Sequence, residues 1–381
     1  MIPFALKVAF WVSLLAVVWT YVGYHLFMWV LSHFMKKETN TSADTPKVSI
    51  VITANNEEEN IAGKINNCLS LDYPRELVEV IVASDGSTDR TNEIVESYSD
   101  RGIQLVFTPE RNGKHFAQKL GIDVARSDLM VFTDATTFLE KDALRRIIRS
   151  FSDPQIGCVS GIDKVSSNGP DSQGEGLYVR YEMKLRSFES GVCSLVGVSG
   201  SFFAARRSLC EEWYNDLSSD FFLPVTSYMK GYRSVLDESA VGKYNLVQNP
   251  EKEFQRKVRT VVHGIEVLMT FKEILNPFRY GFYSFQLMSH KLMRWLVPLF
   301  LAILFVANFY LTGHGIFYNV IFAAQIIFYL FALIAYLVKF LENKPFFRIP
   351  FFFVMVNLSI VVAWLQYARG ERYVTWERTS R

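Results

Sequence analysis

Apolar positions follow two patterns along this chain. Between residues 47 and 151 they come as short β-branched runs separated by amphipathic stretches, and toward both ends they come as long, nearly unbroken runs. The short runs predict strands at Lys47–Thr53 (KVSIVIT), Leu77–Ala83 (LVEVIVA), Ile103–Phe107 and Asp128–Thr133 (DLMVFT), because β-branched side chains pack well on a buried pleated surface. The stretches between them predict helices from Asn55–Glu59 to about Ser70, over Gly113–Ala125 and over Lys141–Phe151. Strands alternating with helices point to a parallel α/β sheet. Such sheets bind ligands beyond the carboxyl ends of their strands. The candidate site is then the set of polar residues just after each strand: Asn55, Asn56 and Glu57, then Asp85 and Asp89, then Lys114, then Asp134.

Four long runs, roughly Val8–Leu31, Leu296–Thr312, Phe317–Val338 and Ile349–Leu365, approach the ~20 residues a helix needs to cross a bilayer core. The first is too long for the core of a signal peptide and no small-residue cleavage site follows it, so it reads as an anchor. Lys36, Lys37 and Lys47 follow the first run, and Lys291 and Arg294 precede the second. The loop Gly313–Gly315 is uncharged, and Lys339, Lys344 and Arg348 lie in the next one. Together they predict a multi-pass protein of an inner or plasma membrane with its soluble region in the cytoplasm. Arg369, Arg372, Arg378 and Arg381 oppose this, because four full crossings place that tail outside. Either the tail is an exception or one segment does not fully cross. Residues 261–293 mix apolar with basic residues and contain Pro277. They read as amphipathic helices on the membrane surface or as ordinary core helices. The expected organisation is an anchor over 1–37, a soluble domain over 38–260, interface helices over 261–293, transmembrane helices over 294–368 and a basic tail over 369–381.

Composition narrows the class. The 381 residues are 50% hydrophobic, 15% aromatic and 20% charged, which excludes whole-chain disorder, collagen and coiled coil. Mean hydropathy is +0.14, as suits a membrane protein with a soluble part. The net charge of +2, with no basic stripe interleaved with aromatics, gives no case for a nucleic-acid partner. Cys68, Cys158, Cys193 and Cys210 form no Cys-x-x-Cys, and no His stands at zinc spacing. They read as free thiols in a reducing compartment. No Gly-x-Gly-x-x-Gly follows the first strand and no Walker A loop occurs. A phosphate-bearing ligand therefore needs another device, such as a metal on Asp134 helped by Lys114.

Seven blocks occur in order: VSIVITANNEEENI, VIVASDGSTDRT, RNGKHFAQKLGI, VFTDATT, GVSGSFFAARR, SSDFFLPVTSYMKGYRSV and EFQRKVRT. Over about residues 45–265 this order resembles the family 2 glycosyltransferases, in the membrane-embedded branch that includes cellulose, chitin and hyaluronan synthases. The ending GERYVTWERTSR is similar as well. The resemblance implies an α/β GT-A domain with flanking transmembrane helices, and an inverting enzyme that uses a nucleotide-sugar donor, a UDP-sugar, with Mg²⁺ or Mn²⁺. It implies that Asp134 holds the metal, with Thr136 standing where the family's Asp-x-Asp has its second acid. Ala54, Asn56, Glu57 and Asp85 surround the base and ribose, Lys114 meets the diphosphate, and Ser199 and Gly200 lie near the donor sugar. Asp220 is the general base, with Ser219 where a first acid is usual and Asp216 as runner-up. Arg256 and Arg259, one helical face if that stretch is a helix, meet the diphosphate or a growing chain. The Gln-x-x-Arg-Trp of processive synthases is not reproduced in Phe254–Thr260.

Blander roles compete at each position: a tight turn at Asp85-Gly86-Ser87, helix caps at Asp134 and Asp220, a solvated lysine at Lys114, and headgroup contacts for Arg256 and Arg259. The implied partners are the donor, a glycan or lipid acceptor, membrane lipids and polysaccharide-assembly proteins. The main reading is transfer to a polysaccharide or oligosaccharide. The same chemistry on a polyprenyl phosphate or ceramide-like lipid is a near rival. A non-catalytic sugar-nucleotide sensor, motivated by Thr136 and Ser219, is a distant one.

Overall fold

The computed structural model describes residues 4–35, 37, 39–165, 173–244, 250–342 and 344–371. One helix, α1 (Phe4–Phe34), precedes a sheet of eight strands. The strands are β1 (Val48–Ala54), β2 (Val78–Asp85), β3 (Ile103–Thr108), β4 (Leu129–Asp134), β5 (Phe138–Leu139), β6 (Ile156–Val165), β7 (Phe202–Arg206) and β8 (Arg233–Tyr244). Their spatial order is β3-β2-β1-β4-β7-β6-β8-β5. The first four run parallel, as the sequence predicts, and β1 is buried along its whole length. A strand covered on both faces needs apolar side chains at every position, which is why β1 reads as a run rather than an alternation.

The second half of the sheet departs from the all-parallel expectation. β7 runs antiparallel to both β4 and β6, and β5 antiparallel to β8, so the sheet is mixed. The strands β5 to β8 were not read from the sequence. β7 is only five residues long and β6 contains Gly157, Gly161, Asp163 and Lys164, so their patterns are weak.

Helices cover both faces. α2 (Ile61–Leu69), α3 (Thr91–Glu96), α4 (Lys114–Val124) and α5 (Ala143–Arg149) follow the parallel strands. α6 (Gln173–Val192), α7 (Ser219–Met229) and α8 (Pro250–Thr270) belong to the second half. One apolar core lies between the sheet, α2 and α5. A larger one joins the other face to α4, α6, α7, α8 and the apolar helices. All four cysteines are free and buried.

Two boundaries differ from expectation. α2 begins at Ile61 rather than near Asn55, because residues 55–60 form a loop whose polar groups bond the loop after β2. The second long apolar helix, α9 (Phe282–Leu311), begins well before Leu296 and absorbs part of the expected interface segment. α8 crosses residue 260 without a break. With α1 and α9, α10 (Ile316–Leu337) and α11 (Phe346–Ala368) make four helices, among the described residues, long and apolar enough to cross a membrane. The basic tail lies outside the described residues beyond Glu371.

α8 fastens the domain to these helices. Val258 and Val262 are buried with Ala363 of α11. A Cβ placed on Gly264 lies 2.5 Å from Cζ2 of Trp295 on α9, closer than real contacts allow. Gly264→Val therefore pushes α8 and α9 apart, at a cost of about 1–3 kcal/mol for an overpacked site. Thermal unfolding of the full chain in detergent checks this, and an unchanged midpoint counts against the contact.

Candidate active site

The site is built from the carboxyl ends of β1, β2 and β4 and from the loop that leads into β7. β4 ends at Asp134, and its carboxylate Oδ1 accepts from Lys114 Nζ at 2.5 Å. The same ammonium donates to the Gly200 carbonyl at 2.8 Å. A Cβ built on Gly200 lies 3.1 Å from Asp220 Oδ2, so the Gly200 backbone faces the Asp220 carboxylate. Val198 N donates to the Asp220 carbonyl at 2.8 Å, which fixes the loop against the start of α7. Asp134, Lys114, Ser199, Gly200 and Asp220, widely separated in sequence, thus meet in one place.

Lys114 reaches this place because Asp85 holds the loop before it. The Asp85 carboxylate is fully buried and accepts from Asn112 N at 2.7 Å and Gly113 N at 2.8 Å. Gly86 makes room: at φ 59 a Cβ there lies 2.7 Å from Arg111 N, so a side chain blocks the loop's path. Asp85 is therefore more than a turn residue. It clamps the backbone that launches α4.

The loop after β1 is welded to the one after β2. Asn56, at φ 54, accepts through Oδ1 from Thr88 N at 2.8 Å, and Asn55 Nδ2 donates to the Asp85 carbonyl. Glu57 N donates to Thr91 Oγ1 at 2.8 Å, and its carboxylate accepts from Asn60. Ala54, at the end of β1, is fully buried. Thr136 is half-buried two residues past Asp134.

Arg256 and Arg259 do lie on one helix, α8, but Arg256 forms a two-point bond with Glu253 at 2.7 Å. Lys257 also pairs with Glu253 and sits over the Phe352 ring. Asp216, the runner-up base, is exposed. Asp220 lies in the first turn of α7, which begins at Ser219.

Several residues that complete the cluster were not picked out from the sequence. Asp163, near the end of β6, has its oxygens 2.8 Å from Ser199 Oγ and accepts from Ser201 Oγ at 2.5 Å. Burial pushes its carboxyl up, the two seryl hydroxyls and Arg186 oppose this, and the Asp134 charge adds to it. Reading β6 as a strand would have placed Asp163 with the other strand-end acids. Lys64 on α2 is fully buried beneath the Asp134 turn and donates to Thr133 Oγ1 at 2.9 Å and to the Thr137 carbonyl. Burial pushes its ammonium down, while Cys68 and Asp134 favour the charged form. Its signal was legible: it shares a helical face with Ile61, Ile65 and Cys68, all buried. Behind Asp220, Ser219 Oγ donates to Gln118 Oε1 at 2.8 Å, and His115 Nδ1 lies 3.1 Å from that same oxygen. Ser219 thus faces a buried polar pocket, where a second carboxylate would meet the Gln118 carbonyl oxygen.

The donor set suits one kind of metal. Among the described residues no group of three or more His, Cys, Asp or Glu could hold an ion. One carboxylate, Asp134, with the hydroxyl of Thr136 nearby in sequence, fits a hard cation that takes its remaining ligands from water and substrate phosphates. It does not fit an all-protein cage.

Residues 49–213 match Glycosyl transferase family 2. The chain carries a family 2 glycosyl transferase domain. Among curated proteins, the probable glycosyltransferase YdaM of Bacillus subtilis (strain 168) is 28% identical over 244 residues, 58% of this chain and 58% of that protein. The poly-β-1,6-N-acetyl-D-glucosamine synthase of Staphylococcus aureus (strain COL) is 24% identical over 257 residues, 65% of this chain and 61% of that one. The matches thus span about three fifths of these relatives' lengths. Among solved structures, the mannosyltransferase PcManGT from Pyrobaculum calidifontis, in complex with GDP-Man and Mn²⁺, superposes with a TM-score of 0.71. The match is at 20% identity and covers 94% of this chain and 99% of that one. The fold is GT-A, flanked by apolar helices.

The buried histidine gives the family 2 domain a pH signature. Burial, helped by His263 and Lys114, pushes His115 from 6.5 down to about 3. Between those values the unfolded chain binds the extra proton, so acid favours unfolding. The stability linked to His115 is complete above about pH 6.5 and is lost as pH falls toward 3. His115→Asn is expected to flatten the fall of the unfolding midpoint between about pH 6.5 and 5. Equal slopes for the two proteins would refute this.

Proposed function

We propose that the protein is an inverting glycosyltransferase that moves a sugar from a UDP-sugar to a hydroxyl of a growing polysaccharide or oligosaccharide. The observation that carries this reading is the convergence of Asp134, Lys114 and Asp220 around the Gly200 backbone, inside a family 2 domain and at the carboxyl ends of its parallel strands. The match to a poly-β-1,6-N-acetyl-D-glucosamine synthase supports a glycan acceptor.

In this reading the acceptor hydroxyl attacks the anomeric carbon from the face opposite the diphosphate. Asp220 takes the hydroxyl proton as general base. The bond between the anomeric carbon and the diphosphate oxygen breaks, and its electron pair leaves on the nucleotide. Lys114 receives the charge that develops there, since an ammonium is a compact counter-ion for phosphate. A Mg²⁺ or Mn²⁺ ion, held by Asp134 with Thr136, would supply further Lewis-acid neutralisation of the diphosphate. Asp85 and the loop after β1 frame the nucleotide. Asp163 acts as a positioning residue by holding Ser199 and Ser201 on either side of Gly200. In this reading Arg256, held by Glu253, and Arg259 meet the diphosphate or the growing chain. The four apolar helices anchor the enzyme in the inner or plasma membrane, with the domain on the cytoplasmic side where nucleotide sugars are made.

The test is nucleotide release by the purified full chain in nanodiscs, with UDP-glucose or UDP-N-acetylglucosamine, Mg²⁺ or Mn²⁺, and glycan or lipid acceptors. Asp220→Asn is expected to lower kcat by roughly 10²–10⁴-fold, the span of general-base catalysis, with donor binding kept. Asp134→Asn is expected to weaken donor binding and turnover together. Binding of UDP with no turnover under any condition would replace the transferase by a sugar-nucleotide sensor.

A further inference from the structure

Four apolar helices and a basic end disagree about the side on which the chain finishes. Four full crossings put Arg369, Arg372, Arg378 and Arg381 across the membrane from the domain, although Lys and Arg favour the cytoplasmic side. The contacts of α11 bear on this directly. Depth can be counted from the turn over residues 312–315, which joins α9 to α10. Trp295 on α9 and Phe331 on α10 each stand about 25 Å of helix away from that turn.

α11 touches both. Near its start, the Phe347 ring lies 5.0 Å from that of Phe331, and the Phe353 ring 5.4 Å from that of Phe328. Near its end, Trp364 Nε1 donates to the Trp295 carbonyl at 2.9 Å. In its middle, Asn357 Nδ2 donates to the Tyr21 hydroxyl at 3.4 Å, and the Tyr21 carbonyl accepts from Tyr181 of the domain helix α6 at 3.0 Å. Phe347 and Trp364 are about 25 Å apart along α11, yet their partners stand at one depth. A helix meets both by running along the membrane. Crossing it would carry Trp364 to the level of the 312–315 turn.

α8 points the same way. It lies alongside α11, with Lys257 Nζ 5.1 Å from the centre of the Phe352 ring and Val258 and Val262 buried with Ala363. The same stretch of α8 carries Glu253, Arg256, Lys257 and Arg259. Charged side chains are costly at the bilayer centre, so a helix packed on this set belongs near the headgroups. Away from α8, Leu358, Val361 and Leu365 are exposed on one face of α11. One apolar face and one face against a charged helix is the arrangement of an interfacial element.

We propose that α11 lies in the membrane interface on the domain's side, between α8 and the inner end of α10, and that α1, α9 and α10 are the crossings. The lipid surface is the partner of its Leu358–Val361–Leu365 face. The chain then leaves α11 on the same side as the candidate active site, and the arginines of the tail stand where their charge favours them. α11 also holds α8, the helix of Arg256 and Arg259, at the membrane surface.

The experiment maps sides and depth in the full chain. All four native cysteines are buried, so an added exposed one reports to a membrane-impermeant maleimide. Glu371→Cys, just beyond α11, is compared in sealed inside-out and right-side-out vesicles with Asp100→Cys on the domain and His314→Cys in the turn between α9 and α10, all three positions being exposed. Glu371→Cys is expected to label in the vesicles that label Asp100→Cys and to stay unlabelled in those that label His314→Cys. Labelling together with His314→Cys overturns the proposal. If Glu371→Cys reacts in neither, depth decides. Nitroxides on Ile349→Cys and Leu365→Cys, both exposed apolar positions of α11, are read by collision with oxygen and with a nickel chelate. Depths that agree within about 5 Å support a helix along the surface, whereas a separation of about 20 Å is that of a crossing helix and overturns it. Neither readout involves turnover, so the transferase reading is tested separately.

Discussion

The ammonium of Lys114, bonded to the Asp134 carboxylate and the Gly200 carbonyl, is the contact on which the site depends. It joins the parallel half of the sheet to the mixed half, since Asp134 ends β4 and Gly200 leads into β7. Charge-assisted hydrogen bonds of this kind are shorter and stronger than neutral ones. They hold position only if both ends are themselves fixed. Here each end has a carboxylate behind it. Asp85 grips the backbone that leads into Lys114, and Asp163 grips the serines on either side of Gly200. Neither acid needs to touch a substrate to matter, because both set where the ammonium stands.

The electrostatic balance follows from the same group. Two ammoniums, Lys114 above and Lys64 below, flank a single strand-end carboxylate. A second acid at position 136 would tip this toward negative and call for a tightly held divalent ion. With Thr136 there, the strand end carries one acid fewer than the family pattern, which leaves Lys114 less screened toward a ligand bearing a diphosphate. Ser219 continues the trend on the other side. The buried pocket it enters already offers the Gln118 carbonyl oxygen and a neutral His115, so a hydroxyl satisfies it and a carboxylate there would lack donors.

Much of this was legible in the sequence, and the reason differs by region. The parallel strands were readable because burial on both faces forces β-branched runs, and the rule of polar strand ends then led to Asp85, Lys114 and Asp134. Asp220 came from a resemblance rather than from periodicity. Asp163 was missed because β6 carries two glycines and mixed polarity, so no strand was read and no strand end was searched. Lys64 was missed although its helical spacing among Ile61, Ile65 and Cys68 marked it as buried, since a lysine is ordinarily assigned to solvent. The loop over residues 55–60 was mistaken for helix, because the hydrogen bonds that keep it open come from residues 87–91, out of reach of any local pattern.

The flanking helices complete the argument about access. Were α9 simply an anchor, its Lys291 and Arg294 would serve best at the surface, where snorkelling costs little. Instead both turn inward, and the buried set Glu182, Glu189, His290, Arg294 and Tyr24 binds α1, α6 and α9 to one another. Burying so many charged groups is costly unless each is paired. The cost is met here at a join between catalytic domain and apolar helices, which makes their relative placement specific rather than merely adhesive. A rigid join holds the side of Asp220 at a constant depth relative to the apolar surface.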